Sequence, residues 1–296
     1  MPIAHQFEYA KPKTLDEAIQ LLAKHGQRAF PLAGGTDLIP GIRSELLAPE
    51  ILVDIKGIGE LRGIVEKERG LAIGALVTFA ELIDSTLIRQ RLPLLFEMAG
   101  TVASPGVRNR ATMVGNICSA VPSCDSGPVL LVLEAEIEVN GPDGERKIPI
   151  GNWFLGPKEN ALQEGEIVTS VFIPLLAETH GGCYVKLGRY RGEDLAQASV
   201  AILMLAGEHY RIAFGAVAPS PLRASRIEVM MDGKKLDKSI MSAAQQLVPE
   251  EIAPITDIRA SKQYREHMVG VMLERGLKVA EERFSGEGLP YGTSAM

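Results

Sequence analysis

The stretch AFPLAGGTDLIPGIR, from Ala29 to Arg43, constrains the fold of this chain more than any other. It reads as a buried strand, a pair of glycines and a helix start. Adjacent glycines at a strand end let a backbone approach something closely, commonly a phosphate. The usual nucleotide spacings, G-x-G-x-x-G and G-x-x-x-x-G-K-S/T, are absent here. The run Gly34, Gly35, Thr36, Asp37 and helix presents free backbone N–H groups, a hydroxyl and a helix N-terminus at one point. Those are the parts of an anion site. The same residues suit plain capping of the helix by Thr36 or Asp37, and the motif alone leaves both readings open.

The flanks build a small unit around this motif. Thr14-Leu15-Asp16-Glu17 is a capping box, Gly26 closes the helix, and Leu15, Ala18, Ile19 and Leu22 give it one apolar face. A strand at 29–33, a short helix near 37–46 and a strand at 51–55 complete a β-α-β-like unit. Gly57-Ile58-Gly59 with Gly63 is a near miss to the dinucleotide fingerprint, one residue too long, and reads as a connecting turn. LRGIV and LAIGA around EKERG predict a hairpin, Thr78 and Glu81 form a second capping box, and RQRLPLLFEMAGTVA continues as helix.

Residues 104–128, SPGVRNRATMVGNICSAVPSCDSGP, form a 25-residue polar stretch that reads as a loop. A structureless loop of that length inside a compact domain tends to be functional. Within it, ATMVGN (111–116) again puts Thr, Gly and Asn in a tight turn. Asp125 stands ahead of an apolar helix, either as an N-cap or as a carboxylate that accepts sugar hydroxyls. Two such loops from two subdomains could clamp a pyrophosphate. After VLLVLEAEIEV, read as helix then strand, and the strand EIVTSVFIP, a boundary falls in LLAETHGG (175–182). CYVKLGRY, ASVAILML and YRIAFGAVAP read as an antiparallel sheet. The closing helices end with one from about Lys262 to Arg283, capped by Ser261, and SGEGLPYGTSAM reads as a frayed tail.

Composition narrows the function. With 296 residues, 46% hydrophobic and 23% charged, the chain can bury a sizeable core. A net charge of −6 argues against a nucleic-acid surface. The N-terminus lacks a basic segment followed by an apolar one, and PVLLVL and VAILMLA are too short to span a bilayer. The expectation is a cytoplasmic protein without membrane insertion. The three cysteines, Cys118, Cys124 and Cys183, suit reduced thiols. They are too few for a cluster held by four thiolates. Trp153 reads as packing, and the five histidines show no metal spacing.

LAGGTDLI followed far downstream by VRNRATMVGNICSAVPSCDSGP resembles the FAD-binding subunits of the molybdenum hydroxylases, the family of xanthine dehydrogenase and aerobic carbon monoxide dehydrogenase. VDIKGIGELRGI, IGALVTFAELI, WFLGP, GEIVTSVFIP, KLGRYRGEDLAQASVAI and FGAVAPSPLRA extend the likeness over almost the whole chain. The wording VDIKGIGELRGI and RASKQYREH looks closest to bacterial xanthine dehydrogenase FAD subunits.

The resemblance implies an α+β fold of the p-cresol methylhydroxylase/vanillyl-alcohol oxidase type. Two FAD-binding subdomains would span residues 1–55 and 56–178, a C-terminal domain of sheet and helices 179–285, and a tail 286–296. It implies non-covalent FAD, with the molybdenum cofactor and [2Fe-2S] clusters carried by a large and a small partner subunit, and NAD or another electron acceptor. Carried over residue by residue, Pro31, Leu32, Ala33, Gly34, Gly35, Thr36, Asp37 and Leu38 wrap the pyrophosphate. Thr112, Met113, Val114, Gly115 and Asn116 do so from the second subdomain. Asp125 binds ribityl or ribose hydroxyls, Lys186 contacts the flavin, and Val168 and Val102 line it.

One departure stands out: many relatives carry glycine where this chain has Val114, so that position must take an ordinary backbone conformation. The charged turn of Arg189, Arg191, Glu193 and Asp194 is either solvated or near the flavin edge. The expected role is electron transfer within a complex that hydroxylates a purine or other N-heterocycle. The alternatives are a self-contained flavin oxidase acting on a small organic substrate, and a nucleotide-binding scaffold without redox chemistry.

Overall fold

The computed structural model describes residues 6–176, 178–190 and 194–293. The N-terminal unit contains β1 (Glu8–Ala10), α1 (Leu15–His25), β2 (Ala29–Leu32), α2 (Leu38–Arg43) and β3 (Ile51–Asp54). Its parallel sheet runs β1-β3-β2, so β2-α2-β3 is a crossover with the glycine pair at its first turn. Thr14 caps α1 through the Glu17 N–H, but the Glu17 carboxylate accepts from Lys13 N rather than from the cap residue itself. Leu15, Ala18, Ile19 and Leu22 are its buried stripe.

The second unit opens with the hairpin β4 (Ile64–Lys67) and β5 (Gly70–Gly74). Three short helices follow: α3 (Phe79–Asp84), with both halves of the Thr78–Glu81 capping box formed, α4 (Thr86–Arg91) and α5 (Pro93–Gly100). The helix expected to run on through Pro93 is divided there, because proline favours the first turn and disfavours helix in the preceding residue.

The polar stretch 104–128 is not structureless. It holds α6 (Pro105–Arg108), α7 (Met113–Cys118) and the start of α8 (Ser126–Val132). Ser104 caps α6 and Thr112 caps α7. Then come β6 (Glu136–Gly141), β7 (Gly144–Pro149), the two-stranded β8 (Phe154–Gly156) and β9 (Glu159–Asn160), and β10 (Ile167–Pro174). The antiparallel sheet order is β4-β5-β10-β6-β7.

The C-terminal unit is an antiparallel sheet of β11 (His180–Leu187), β12 (Ala198–Leu205), β13 (His209–Gly215) and the two-residue β14 (Leu222–Arg223). It carries α9 (Ser225–Met231), α10 (Lys238–Glu251) and α11 (Lys262–Phe284), the last capped by Ser261 as expected. The sheet is buried on both faces, and the alternation of strand side chains divides it. Cys183, Val185, Val200, Ile202, Ile212 and Phe214 pack under α9–α11, while Tyr184, Ala201, Leu203 and Ala213 join the core of the flavin-subdomain elements. This second face points Tyr184 and Lys186 toward α8.

The tail through residue 293 is held rather than frayed. Glu97 and Arg283, with side chains 5% and 4% exposed, pair through Nη2–Oε2 at 2.7 Å and Nη1–Oε1 at 3.1 Å. Glu97 also accepts from Tyr184 N and Gly292 N, and Arg283 stacks over the Tyr291 ring. Breaking a buried pair leaves an uncompensated charge and costs about 3–5 kcal/mol. Arg283→Met is expected to lose about that much stability in a urea titration.

Candidate functional site

Gly34 lies against the second unit. A Cβ there would sit 2.0 Å from the Arg110 carbonyl oxygen and 3.1 Å from Ala111 Cα. The close approach it permits is therefore backbone on backbone, and it brings the two glycine loops side by side. Gly35 has φ +74°, a left-handed conformation that costs an L residue about 1–2 kcal/mol. A side chain at Gly35 would also meet Leu32 and Ile39. Among the described residues, nothing accepts from the main-chain N–H groups of Gly34, Gly35, Thr36 or Asp37. Such groups are normally paired, so four in succession form a donor set for an anion.

The helix-capping reading fails at Asp37: it is the N-cap of α2 but makes no side-chain cap bond. Its Oδ2 accepts from Ser119 Oγ at 2.5 Å, across 82 residues, and Ser119 Oγ also lies 3.1 Å from the Gly115 carbonyl. In the second loop Thr112 Oγ1 accepts from Gly115 N at 2.9 Å, and Met113 N donates to Val77 O. Val114 is buried in α7 and is not among the residues of positive φ, as its side chain requires. Its N–H, in the first turn, has no acceptor among the described residues. Asn116 Oδ1 accepts from Ser126 N at 3.2 Å and from the Cys124 thiol at 3.1 Å. Fully buried Trp153 donates from Nε1 to Ile117 O, and Asn160 donates to Cys118 O, so both support this loop.

Asp125 does not cap α8 either. Its side chain, 7% exposed, accepts from Lys186 Nζ on Oδ2 at 2.8 Å and from Tyr184 Oη on Oδ1 at 2.9 Å. Burial pushes the Asp125 carboxyl above its ordinary range, while Lys186 and Tyr184 pull it back. Lys186 Nζ donates also to Thr101 O at 3.0 Å, beside buried Val102. Ser126 Oγ is fully buried and has no partner among the described residues. Ala103 and Ala120 take left-handed backbones at φ +38° and +44° and are held by Arg108 and the Lys158 N–H. Such conformations cost about 1–3 kcal/mol each and persist where surroundings fix them.

The structure thus brings together Gly34 through Asp37, Thr112 through Asn116, and the Asp125–Lys186 pair with Thr101. Pro31 and Leu32 stand on β2, Ala33 and Leu38 flank the glycine turn, and Val168 is buried on β10 opposite Val139, apart from this hydrogen-bond network. Arg191 and Glu193 lie outside the described residues; Asp194 accepts from Arg189 N. Sequence reasoning missed Tyr184, Ser119, Thr101 and Ser126. Tyr184 had a signal: it precedes Lys186 by two on a strand and so shares its face.

Burial pushes the Cys118 and Cys183 thiols up to about 12 and raises Cys124 as well. Native protein is expected to leave Ellman's reagent uncoloured over minutes, while unfolded protein titrates three thiols. Among the described residues no group of His, Cys, Asp or Glu could hold a metal ion, and no helix is long and apolar enough to cross a membrane.

Unpaired amides at a strand-to-helix turn, a second loop against them and a buried Asp–Lys pair form a donor-rich site suited to an anionic ligand. The chain belongs to the FAD-binding subunits of molybdenum hydroxylases. Residues 5–176 match the family described as FAD binding domain in molybdopterin dehydrogenase, and 183–280 match the CO dehydrogenase flavoprotein C-terminal domain. The chain is 37% identical over 285 residues to the carbon monoxide dehydrogenase medium chain of Hydrogenophaga pseudoflava, covering 95% of this chain and 99% of that one. It is 32% identical to the xanthine dehydrogenase FAD-binding subunit of Escherichia coli O157:H7, covering 94% and 97%. A solved carbon monoxide dehydrogenase from Hydrogenophaga pseudoflava superposes with a TM-score of 0.92 at 38% identity, over 96% of this chain and 99% of that one. The fold is the α+β flavin-subunit fold expected from the sequence.

Proposed function

We propose that this chain is the FAD-carrying electron-transfer subunit of a molybdenum hydroxylase complex. It would sit beside a molybdopterin-binding large subunit and a small subunit with [2Fe-2S] clusters, passing electrons to an external acceptor such as NAD. The run of four unpaired N–H groups from Gly34 to Asp37, set against the second loop, carries this reading. In it these amides and that of Val114 hold the pyrophosphate. Asp125 keeps unused lone pairs for sugar hydroxyls, since a carboxylate has about four acceptor sites. Lys186, with two of its three N–H groups engaged, turns the third to the flavin, and Val102 and Val168 wall it. Bound FAD supplies the capacity to take electrons singly and release them as a pair. The protein's residues bind, orient and exclude water.

The relatives' names span carbon monoxide, xanthine, glyceraldehyde and nicotine at similar coverage, which supports placing the substrate pocket in another subunit. For the whole complex we propose a purine or other N-heterocycle. Native purification should yield a yellow protein with two partner chains, molybdenum and iron. Assay with xanthine and with carbon monoxide side by side then assigns the substrate. A monomer free of both metals, whose flavin is reduced by a small organic substrate, would instead establish a self-contained oxidase. At residue level Gly35→Val should purify without flavin, because a β-branched side chain suits neither φ +74° nor the space beside Leu32. Normal flavin content in that variant places the pyrophosphate elsewhere.

A further inference from the structure

The carboxylate of Asp125 serves two masters on one strand. Tyr184 and Lys186 reach it from the same face of β11, one on each oxygen. Ser199 on β12 stands beside the Tyr184 hydroxyl and favours its oxygen as an acceptor. Ser199 is 1% exposed and stands opposite Lys186 in the sheet register. The next strand makes room for this hydroxyl: a Cβ on Gly215, which pairs with Ser199, would lie 2.5 Å from Ser199 Oγ. Tyr184 therefore donates to one Asp125 oxygen and Lys186 to the other, with the Ser199 hydroxyl beside Tyr184. Such chains polarise one another and hold a single geometry.

We infer that Tyr184 is a positioning residue of the flavin site, holding Asp125 so that Lys186 meets the flavin in one orientation. The inference rests on the proposed contact between Lys186 and FAD. It assigns the C-terminal sheet a direct part in cofactor binding, beyond covering the core. Without the Tyr184 hydroxyl, Asp125 can rotate about its side-chain bonds, and Lys186 loses the fixed partner that aims it. The Tyr184 ring would remain packed, because only the oxygen is polar.

The test is a double-mutant cycle on the full chain stripped of flavin, titrated with FAD and followed by flavin fluorescence. Tyr184→Phe is expected to raise the FAD dissociation constant about tenfold, equivalent to about 1.4 kcal/mol. In the Lys186→Met background the same change should raise it less than about twofold, because the group being aimed is gone. A purely structural tyrosine would weaken binding equally in both backgrounds and lower the melting temperature of the flavin-free protein. Equal losses, or wild-type affinity in Tyr184→Phe, overturn the inference. If Tyr184→Phe fails to fold, Ser199→Ala takes its place in the cycle and is read the same way. Wild-type protein that binds no FAD would sink the flavin-subunit reading itself, a result distinct from an unaffected Tyr184→Phe.

Discussion

Gly34→Ala is expected to yield protein without flavin and with a markedly lower melting temperature. The added carbon would sit 2.0 Å from the Arg110 carbonyl oxygen and 2.7 Å from its carbonyl carbon. Both are backbone atoms, so no side chain can swing aside. Arg110 is fixed in turn: its N–H donates to Val107 O, and the next residues bridge to Thr78, the N-cap of α3. The loops must part, which opens the contact between the parallel unit and the α6–α7 segment. Overpacking of this kind costs about 1–3 kcal/mol when neighbours can yield, and more when they cannot. For a domain of 150–250 residues each kcal/mol lowers the melting temperature by about 2–4 °C. Gly35→Ala meets only the tips of Leu32 and Ile39 and should be milder in stability. Absorbance at flavin wavelengths against protein content, with a thermal melt, checks both. A flavin-replete, normally stable Gly34→Ala protein would mean that the two loops do not meet there.

The features legible in the sequence are those decided within a few residues. The strand–Gly–Gly–helix turn, the Thr78–Glu81 box and the Ser261 cap depend on neighbours at most three or four positions away. The hidden features depend on distance. Ser119 reaches Asp37 across 82 residues and Tyr184 reaches Asp125 across 59, so neither bond leaves a local pattern. The stretch 104–128 looked structureless because α6 and α7, of four and six residues, are too short to show a helical period. Their caps, Ser104 and Thr112, were the available signal. Asp37 and Asp125 were plausible caps because the sequence shows position but not side-chain direction. Only the folded structure shows both carboxylates turned away from their helices toward Ser119, Lys186 and Tyr184.

Lys186→Met should cost the folded protein most at neutral and alkaline pH and least in acid. Asp125 is buried, and Lys186 is the cation that offsets its charge. Removing one member of a buried pair costs about 3–5 kcal/mol when the other stays charged. The pH dependence follows from the direction of the Asp125 shift, which burial raises and Lys186 opposes. A carboxyl whose folded pKa lies above its unfolded value stabilises the protein below that unfolded value. It loses this contribution as pH rises through the folded pKa. Without Lys186 the folded pKa climbs further, so the variant goes on losing stability over a pH range where the wild type has stopped. Urea titrations at pH 5 and pH 8 should therefore show the deficit widening with pH. Asp125→Asn in the same background removes the titrating group, and the widening should vanish while FAD binding stays impaired. A deficit of equal size at both pH values would show that Asp125 is not the group Lys186 serves.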